Sequence, residues 1–134
     1  MKTINPDREK WSQIIAGIPR DTEITMLNLL RFREQAAYPE GSPHPPCSGR
    51  EAYNRYSEVS IKTIAEVGGG VFWLGKAAAT VIGPGDESWH LVILVKYPSI
   101  DAFLTMLALP HYQQASTHRT AALADSRLIA TVSS

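Results

Sequence analysis

Apolar positions recur in two rhythms along this chain, and the switches between them mark its elements. Trp11, Ile14, Ile15 and Ile18 fall three and four apart, the spacing of one helical face. They follow Asn5-Pro6-Asp7, where Asn5 can cap, Pro6 suits the first helical position, and Asp7 and Glu9 favour the positive end of the dipole. Gly17 and Pro19 stop that helix. From Glu23 to Phe32 the residues are aliphatic and β-branched, with Thr25, Asn28 and Arg31 as interior polar interruptions, which predicts a strand. Residues 33–48 carry Pro39, Gly41, Pro43, Pro45 and Pro46, so they predict a long loop, of a length that often serves as a lid.

Ser48-Gly49-Arg50-Glu51 has the form of a capping box and opens a helix expected to run to about Val67. Ala52, Tyr56, Val59 and Thr63 share one stripe, flanked by Tyr53, Ser60, Ile64 and Val67, and Gly68-Gly69-Gly70 ends it. Val71 to Ile82 is expected as a second strand, Gly83-Pro84-Gly85-Asp86 as a turn and Trp89 to Tyr97 as a third strand, together a hairpin. Ser99 caps a helix bearing Phe103, Met106 and Leu107. Pro110 interrupts it, and a further helical segment from His111 to about Ala124 presents Tyr112, Ala115, Arg119 and Leu123. Arg127 to Val132 reads as the last strand. No internal repeat or low-complexity tract interrupts this series.

Setting the first helix aside, the order strand, helix, strand, strand, helix, strand predicts an α+β, ferredoxin-like βαββαβ protomer, one domain over residues 1–134 with a helical extension at 1–20. A sheet with one wet face should alternate, and this one does not. Leu91, Ile93 and Val95 oppose Val92 and Leu94, while Met26 and Leu30 oppose Leu27 and Leu29. Two crossover helices cover one face only. A second copy packing sheet against sheet would cover the other, which predicts a homodimer, a dimeric α/β barrel. The alternative is that the first helix covers part of that face.

Composition narrows the function classes. In 134 residues, 13 Lys and Arg balance 13 Asp and Glu, so the basic excess of a nucleic-acid binder is missing. Leu91 to Val95 is the longest aliphatic run, far short of the roughly 20 residues that span a bilayer. With no apolar signal core in the first residues and a single Cys47, the expected compartment is the cytoplasm. No Gly-rich phosphate loop, nucleophile elbow or paired-carboxylate site is present, and no cofactor is implied.

Met26-Leu27-Asn28-Leu29-Leu30-Arg31-Phe32-Arg33, Tyr38, Ser48 to Tyr53, Trp89 with Tyr97-Pro98-Ser99, His111-Tyr112, His118 to Leu123 and Ser126 to Ile129 together resemble the DUF1330 family. The resemblance runs from residue 23 to the end and leaves the N-terminal helix outside. It implies membership of the dimeric α/β-barrel superfamily, whose members include cofactor-free monooxygenases, polyketide cyclases, muconolactone isomerases and haem-handling enzymes. One fold hosts several chemistries there.

The candidate residues stand on their positions. Arg119 lies seven and four residues after Tyr112 and Ala115, on the stripe expected to face the sheet, where a cation needs a partner. It is either a clamp for a carboxylate, phenolate or enolate, or else half of an internal ion pair or a stem that snorkels to the edge. His111 and His118 share a face but lie two turns, roughly 10 Å, apart, too far for a zinc helix, so no metal site is expected. His118 is the better general acid or base, against a solvent-facing or dimer-contacting role, and His90 has the same ambiguity. Asn28 points with Met26 and Leu30, where it orients a substrate or ties down a neighbouring strand. Tyr53, Tyr56, Trp73 and Trp89 either line an apolar cavity or fill the core.

These residues suggest a homodimeric protein with an apolar pocket between sheet and helices for a small apolar or aromatic ligand. Superfamily habit then implies metal-free proton transfer or oxygenation on an enolisable or aromatic substrate, with Arg119 stabilising charge and His118 moving a proton. The rivals are a non-catalytic metabolite-binding or stress-related module, and polar residues that only stitch the dimer.

Overall fold

The computed structural model describes residues 1–134. A 3-10 turn at Arg8–Lys10 leads into α1 (Trp11–Ala16), followed by β1 (Ile24–Phe32), α2 (Gly49–Glu66), β2 (Gly70–Lys76), β3 (Leu91–Tyr97), α3 (Ile100–Ala108), α4 (Pro110–Ala122) and β4 (Leu123–Thr131). The strands form one antiparallel sheet in the order β2-β3-β1-β4. The two crossovers through α2 and through α3 with α4 give the ferredoxin-like βαββαβ arrangement.

The ends of α2 follow from four residues. The Glu51 amide donates to Ser48 Oγ at 3.1 Å and the Ser48 amide to Glu51 Oε1 at 3.0 Å, closing the capping box. At the other end Gly68 takes φ +83°, which lets its amide donate to Ala65 and that of Gly69 to Ile64, so the last carbonyls are satisfied. Ser99 Oγ likewise accepts from the Ala102 amide at 3.1 Å to start α3. Ile24, Leu30, Ile100, Met106 and Leu123 are the best-buried large side chains of the core between helices and sheet.

Four boundaries differ from the sequence reading. Asp7, and not Asn5, accepts from the Glu9 amide, and it caps the 3-10 turn ahead of the first helix, whose regular part is only six residues long. The second strand stops at Lys76: Val81 and Ile82 are 92% and 95% exposed in a loop, because no partner strand continues past Leu91 to pair them. The third strand begins at Leu91, and the His90 backbone just before it still donates to the Leu30 carbonyl and accepts from the Ala77 amide. The last strand begins at Leu123, four residues before Arg127, because Phe32 extends β1 far enough to pair with it.

The outer face of the sheet carries one row of large apolar residues across all four strands. Trp73 pairs with Leu94, Leu94 with Leu27 and Leu27 with Ile129. A bulge at Val71/Trp73 turns Phe72 outward too, where Lys96 Nζ stands 4.4 Å from its ring centre. The N-terminal helix does not cover this row. Ile15 and Ile18 pack against the core on the helical side, and Arg20 pairs with Asp101 of α3 at 2.7 Å.

Candidate functional site

Between the sheet's inner face and the helices lies a cavity of about 1270 Å³. β1 supplies Met26 and Asn28, β3 supplies Ile93 and Val95, α2 supplies Tyr53 and Tyr56, and α4 supplies Tyr112 and Arg119. The helical spacing 50, 53, 54, 57 puts Arg50, Tyr53, Asn54 and Ser57 on the same wall. The N-terminal segment adds Ile4, Arg8, Trp11, Ile15 and Ile18.

The polar groups of this wall are unequally satisfied. Asn28 Nδ2 donates to the Ile93 carbonyl at 3.3 Å and to the Met26 carbonyl at 3.5 Å, tying β1 to β3 and leaving Oδ1 without a partner in the protein. The Tyr56 and Tyr112 hydroxyls hydrogen-bond to each other at 2.8 Å. Tyr53 packs on Tyr56 with ring centres 5.3 Å apart and is only 6% exposed, yet its hydroxyl makes no hydrogen bond within the protein. Burial pushes the Tyr53 phenol up to about 12, outweighing the nearby Arg119 cation, and pushes Tyr56 well above its ordinary value. Arg119 donates from Nη1 to the Ile4 carbonyl at 2.7 Å, and its remaining donors have no partner in the protein.

Other candidates lie elsewhere. His118 is not part of the cavity wall; it belongs to a cluster that docks the Pro-rich loop onto α2 and α4. Its Nδ1 lies 2.6 Å from Tyr38 Oη, which also accepts from Arg55 Nη1 at 3.1 Å, and the His44 ring stands edge-on at 4.4 Å. The Tyr38 hydroxyl, with one proton and two lone pairs, accepts from Arg55 and can serve His118 Nδ1 in either direction according to the imidazole tautomer. Burial, then His44 and Arg55, hold the His118 pKa below its ordinary value. No residue of 33–48 lines the cavity, so that loop does not cover it.

His90 Nδ1 accepts from the Phe32 amide at 2.9 Å and its ring stacks on Phe32, while burial and then Arg31 lower its pKa. His111 faces Glu66 at 3.1 Å on the surface. Trp89 lies under the Arg127 guanidinium at 5.1 Å, and Trp73 sits in the outer row. None of His90, His111, Trp73 and Trp89 lines the cavity. Sequence reasoning missed Arg50, which the Arg50–Tyr53–Asn54 spacing contained, and Tyr38, Arg55 and His44, which converge only through the path of the loop.

The chain is similar over its whole length to a protein of unknown function from Rhodopseudomonas palustris, at 40% identity, covering 100% of this chain and 98% of that one with a TM-score of 0.90. A dimeric protein of unknown function and ferredoxin-like fold from Bacteroides fragilis shares 13% identity over 86% of this chain and all of its own, with a TM-score of 0.50. A hydroxynitrile lyase from Passiflora edulis aligns at 8% identity over 85% of this chain and 95% of its own, TM-score 0.56. The last two likenesses concern the fold alone. A search of curated proteins found no match. The N-terminal segment and β1 fall outside the range of the family profile, which spans α2 to the end of the sheet: over residues 47–132 the sequence matches DUF1330, a domain of unknown function, and the chain belongs to that family.

Proposed function

We propose that the protein binds a small apolar or aromatic anion in this cavity, and that it works as a homodimer joined through the outer face of its sheet. The composition of the wall carries the ligand reading. Arg8, Arg50 and Arg119 contribute cations and no Asp, Glu, His or Cys lines the cavity, while Arg127, which also reaches the wall, is already paired with Asp125 and Glu87. Guanidinium groups beside an apolar wall, without carboxylates, favour an anion whose charge they can pair. Arg119 offers its unused donors to the head group, the unpartnered Tyr53 hydroxyl offers one more, and Asn28 Oδ1 accepts from any donor the ligand brings. The dimer reading is supported by the four-strand apolar row and by the dimeric relative of the same fold from Bacteroides fragilis.

The enzymatic form of this reading is metal-free proton transfer or oxygenation on an enolisable or aromatic substrate, with Arg119 and Tyr53 stabilising negative charge on an enolate or phenolate oxygen. The raised tyrosines keep their protons near neutrality, so the wall suits a substrate that arrives already deprotonated. The absence of any wall side chain that titrates near neutrality favours a second form, in which the anion is held without turnover. His118, bound to Tyr38, serves the loop in both.

Thermal shift with benzoate, 4-hydroxybenzoate and the neutral analogue benzamide tests the ligand class. At 100 times its dissociation constant a ligand adds about 2.7 kcal/mol, several degrees in Tm. The carboxylates are expected to stabilise, benzamide is not, and Arg119→Ala is expected to abolish the difference. Equal stabilisation by benzamide, or a full effect in Arg119→Ala, overturns the anion reading. Oxygen uptake or product formation with a stabilising acid separates enzyme from binder.

A further inference from the structure

The N-terminal segment is fastened at its two ends and loose between them. At the first end the Thr3 amide donates to Asp125 Oδ1 at 2.9 Å, the Ser126 amide donates to the Thr3 carbonyl at 2.7 Å, and Arg127 Nη2 donates to the Met1 carbonyl at 3.0 Å. These bonds lay Thr3 along the edge strand β4. At the second end stands the surface pair Arg20–Asp101. From Asn5 to Pro19 every hydrogen bond is internal to the segment.

What holds this middle stretch down is apolar contact alone. Trp11, Ile15 and Ile18 are half-buried against the core, while Ile14 is 47% exposed. Helix α1 has six residues, no side-chain cap and no buried residue, a length at which a helix has little stability of its own. Segments with few buried contacts open at low free energy. The same residues line the cavity, and just before them the Ile4 carbonyl takes one corner of the Arg119 guanidinium.

We propose that residues 5–19 form the gate of the cavity: the stretch lifts about its two anchors to admit the ligand, and on closing Trp11 and Ile15 cover the ligand's apolar body beside Arg119, which the Ile4 carbonyl at the fixed end holds in place. Arg119 can meet Ile4 and the ligand at once, because one N–H serves Ile4 and the rest of the planar fork is unused. A closed segment lowers the rate of ligand entry by the fraction of time it is open, and it lowers the rate of escape in the same way. Lightening its apolar hold therefore speeds both steps. A fixed wall that merely lost contacts would speed escape and leave entry unchanged.

This inference rests on the cavity being an anion site, and the experiment separates the two. The probe is 8-anilinonaphthalene-1-sulfonate, an apolar anion whose fluorescence reports binding, followed by stopped flow on the wild type, Ile15→Ala and Arg119→Ala. The expected result is probe binding that Arg119→Ala abolishes, with Ile15→Ala raising the association rate about tenfold and the dissociation rate at least as much. Probe binding that survives Arg119→Ala overturns the anion site itself. Binding that needs Arg119 but enters Ile15→Ala no faster overturns the gate and leaves the site standing. Should Ile15→Ala fold poorly, Trp11→Phe carries the same comparison. Hydrogen exchange on the wild type supplies a second reading: amides 11–18 should gain protection when the probe saturates, and unchanged exchange there also overturns the gate.

Discussion

At the scale of single residues, the chain places its two kinds of polar chemistry on different sides of α4. Arg119 joins the tyrosines of the cavity, while His118 joins Tyr38, His44 and Arg55 outside it. Neighbouring residues on a helix point about 100° apart, so one side chain can face the sheet while the next meets a docking loop. The His118 cluster makes loop attachment sensitive to acid. Its imidazole is held neutral by burial, His44 and Arg55, so its folded-state pKa lies below the unfolded value near 6.5. Between those two values the unfolded chain binds more protons, so stability is complete above about pH 6.5 and falls as the pH drops through that value towards the folded pKa. His90 is shifted the same way by burial and Arg31. The melting temperature is expected to fall between pH 7.5 and pH 5, and His118→Gln, which cannot titrate, should flatten part of that slope. Identical slopes in the two proteins would show that the cluster is not the sensor.

At the scale of elements, Gly49 opposes propensity to packing. As the first residue of α2 it would favour alanine by about 1 kcal/mol on helix propensity alone. Yet a Cβ there would press on the Ala122 carbonyl oxygen at 2.7 Å and on the backbone of Arg33, where α2, β1 and the end of α4 meet. Backbone cannot yield as a flexible side chain can. Gly49→Ala is therefore expected to cost about 1–3 kcal/mol, read as a lower urea midpoint, and a stabilised variant would refute the account. The same contrast explains what could be read without coordinates. Ser48, Glu51 and Gly68 act within a turn of themselves, so the limits of α2 were legible. Val81 and Ile82 look like strand residues, but pairing is decided by the partner, and β3 ends too soon to serve them. Asn28 and Arg119 were legible as cavity groups because each interrupts an apolar stripe. The place of the N-terminal segment over the cavity was not, since nothing in Trp11, Ile14, Ile15 and Ile18 says which surface they meet.

At the scale of the whole molecule, the outer row of the sheet decides how the protein meets its surroundings. Trp73, Leu94, Leu27 and Ile129 form one apolar line across four strands, and none of the helices lies over it. Two copies packed face to face would bring eight such side chains together. At half of the roughly 1.5–3 kcal/mol for full burial of each, they contribute about 6–12 kcal/mol. That is on the order of the 4–15 kcal/mol that association costs in lost freedom, so the row alone brings a dimer within reach and the residues around it decide its affinity. Phe72 belongs to that surround, held outward by the bulge and flanked by Lys96, whose charge faces the rim. The proposed dimer is tested by sedimentation of the wild type and of Leu94→Asp with Trp73→Lys, two outer positions that do not line the cavity, at micromolar concentration. The wild type is expected to sediment at twice the protomer mass. The double variant should sediment as a protomer with an unchanged circular dichroism spectrum, because in the isolated protomer these positions face water. It should also keep its Arg119-dependent response to carboxylates, since the cavity lies on the other side of the sheet; losing that response would mean that the pocket needs its second copy.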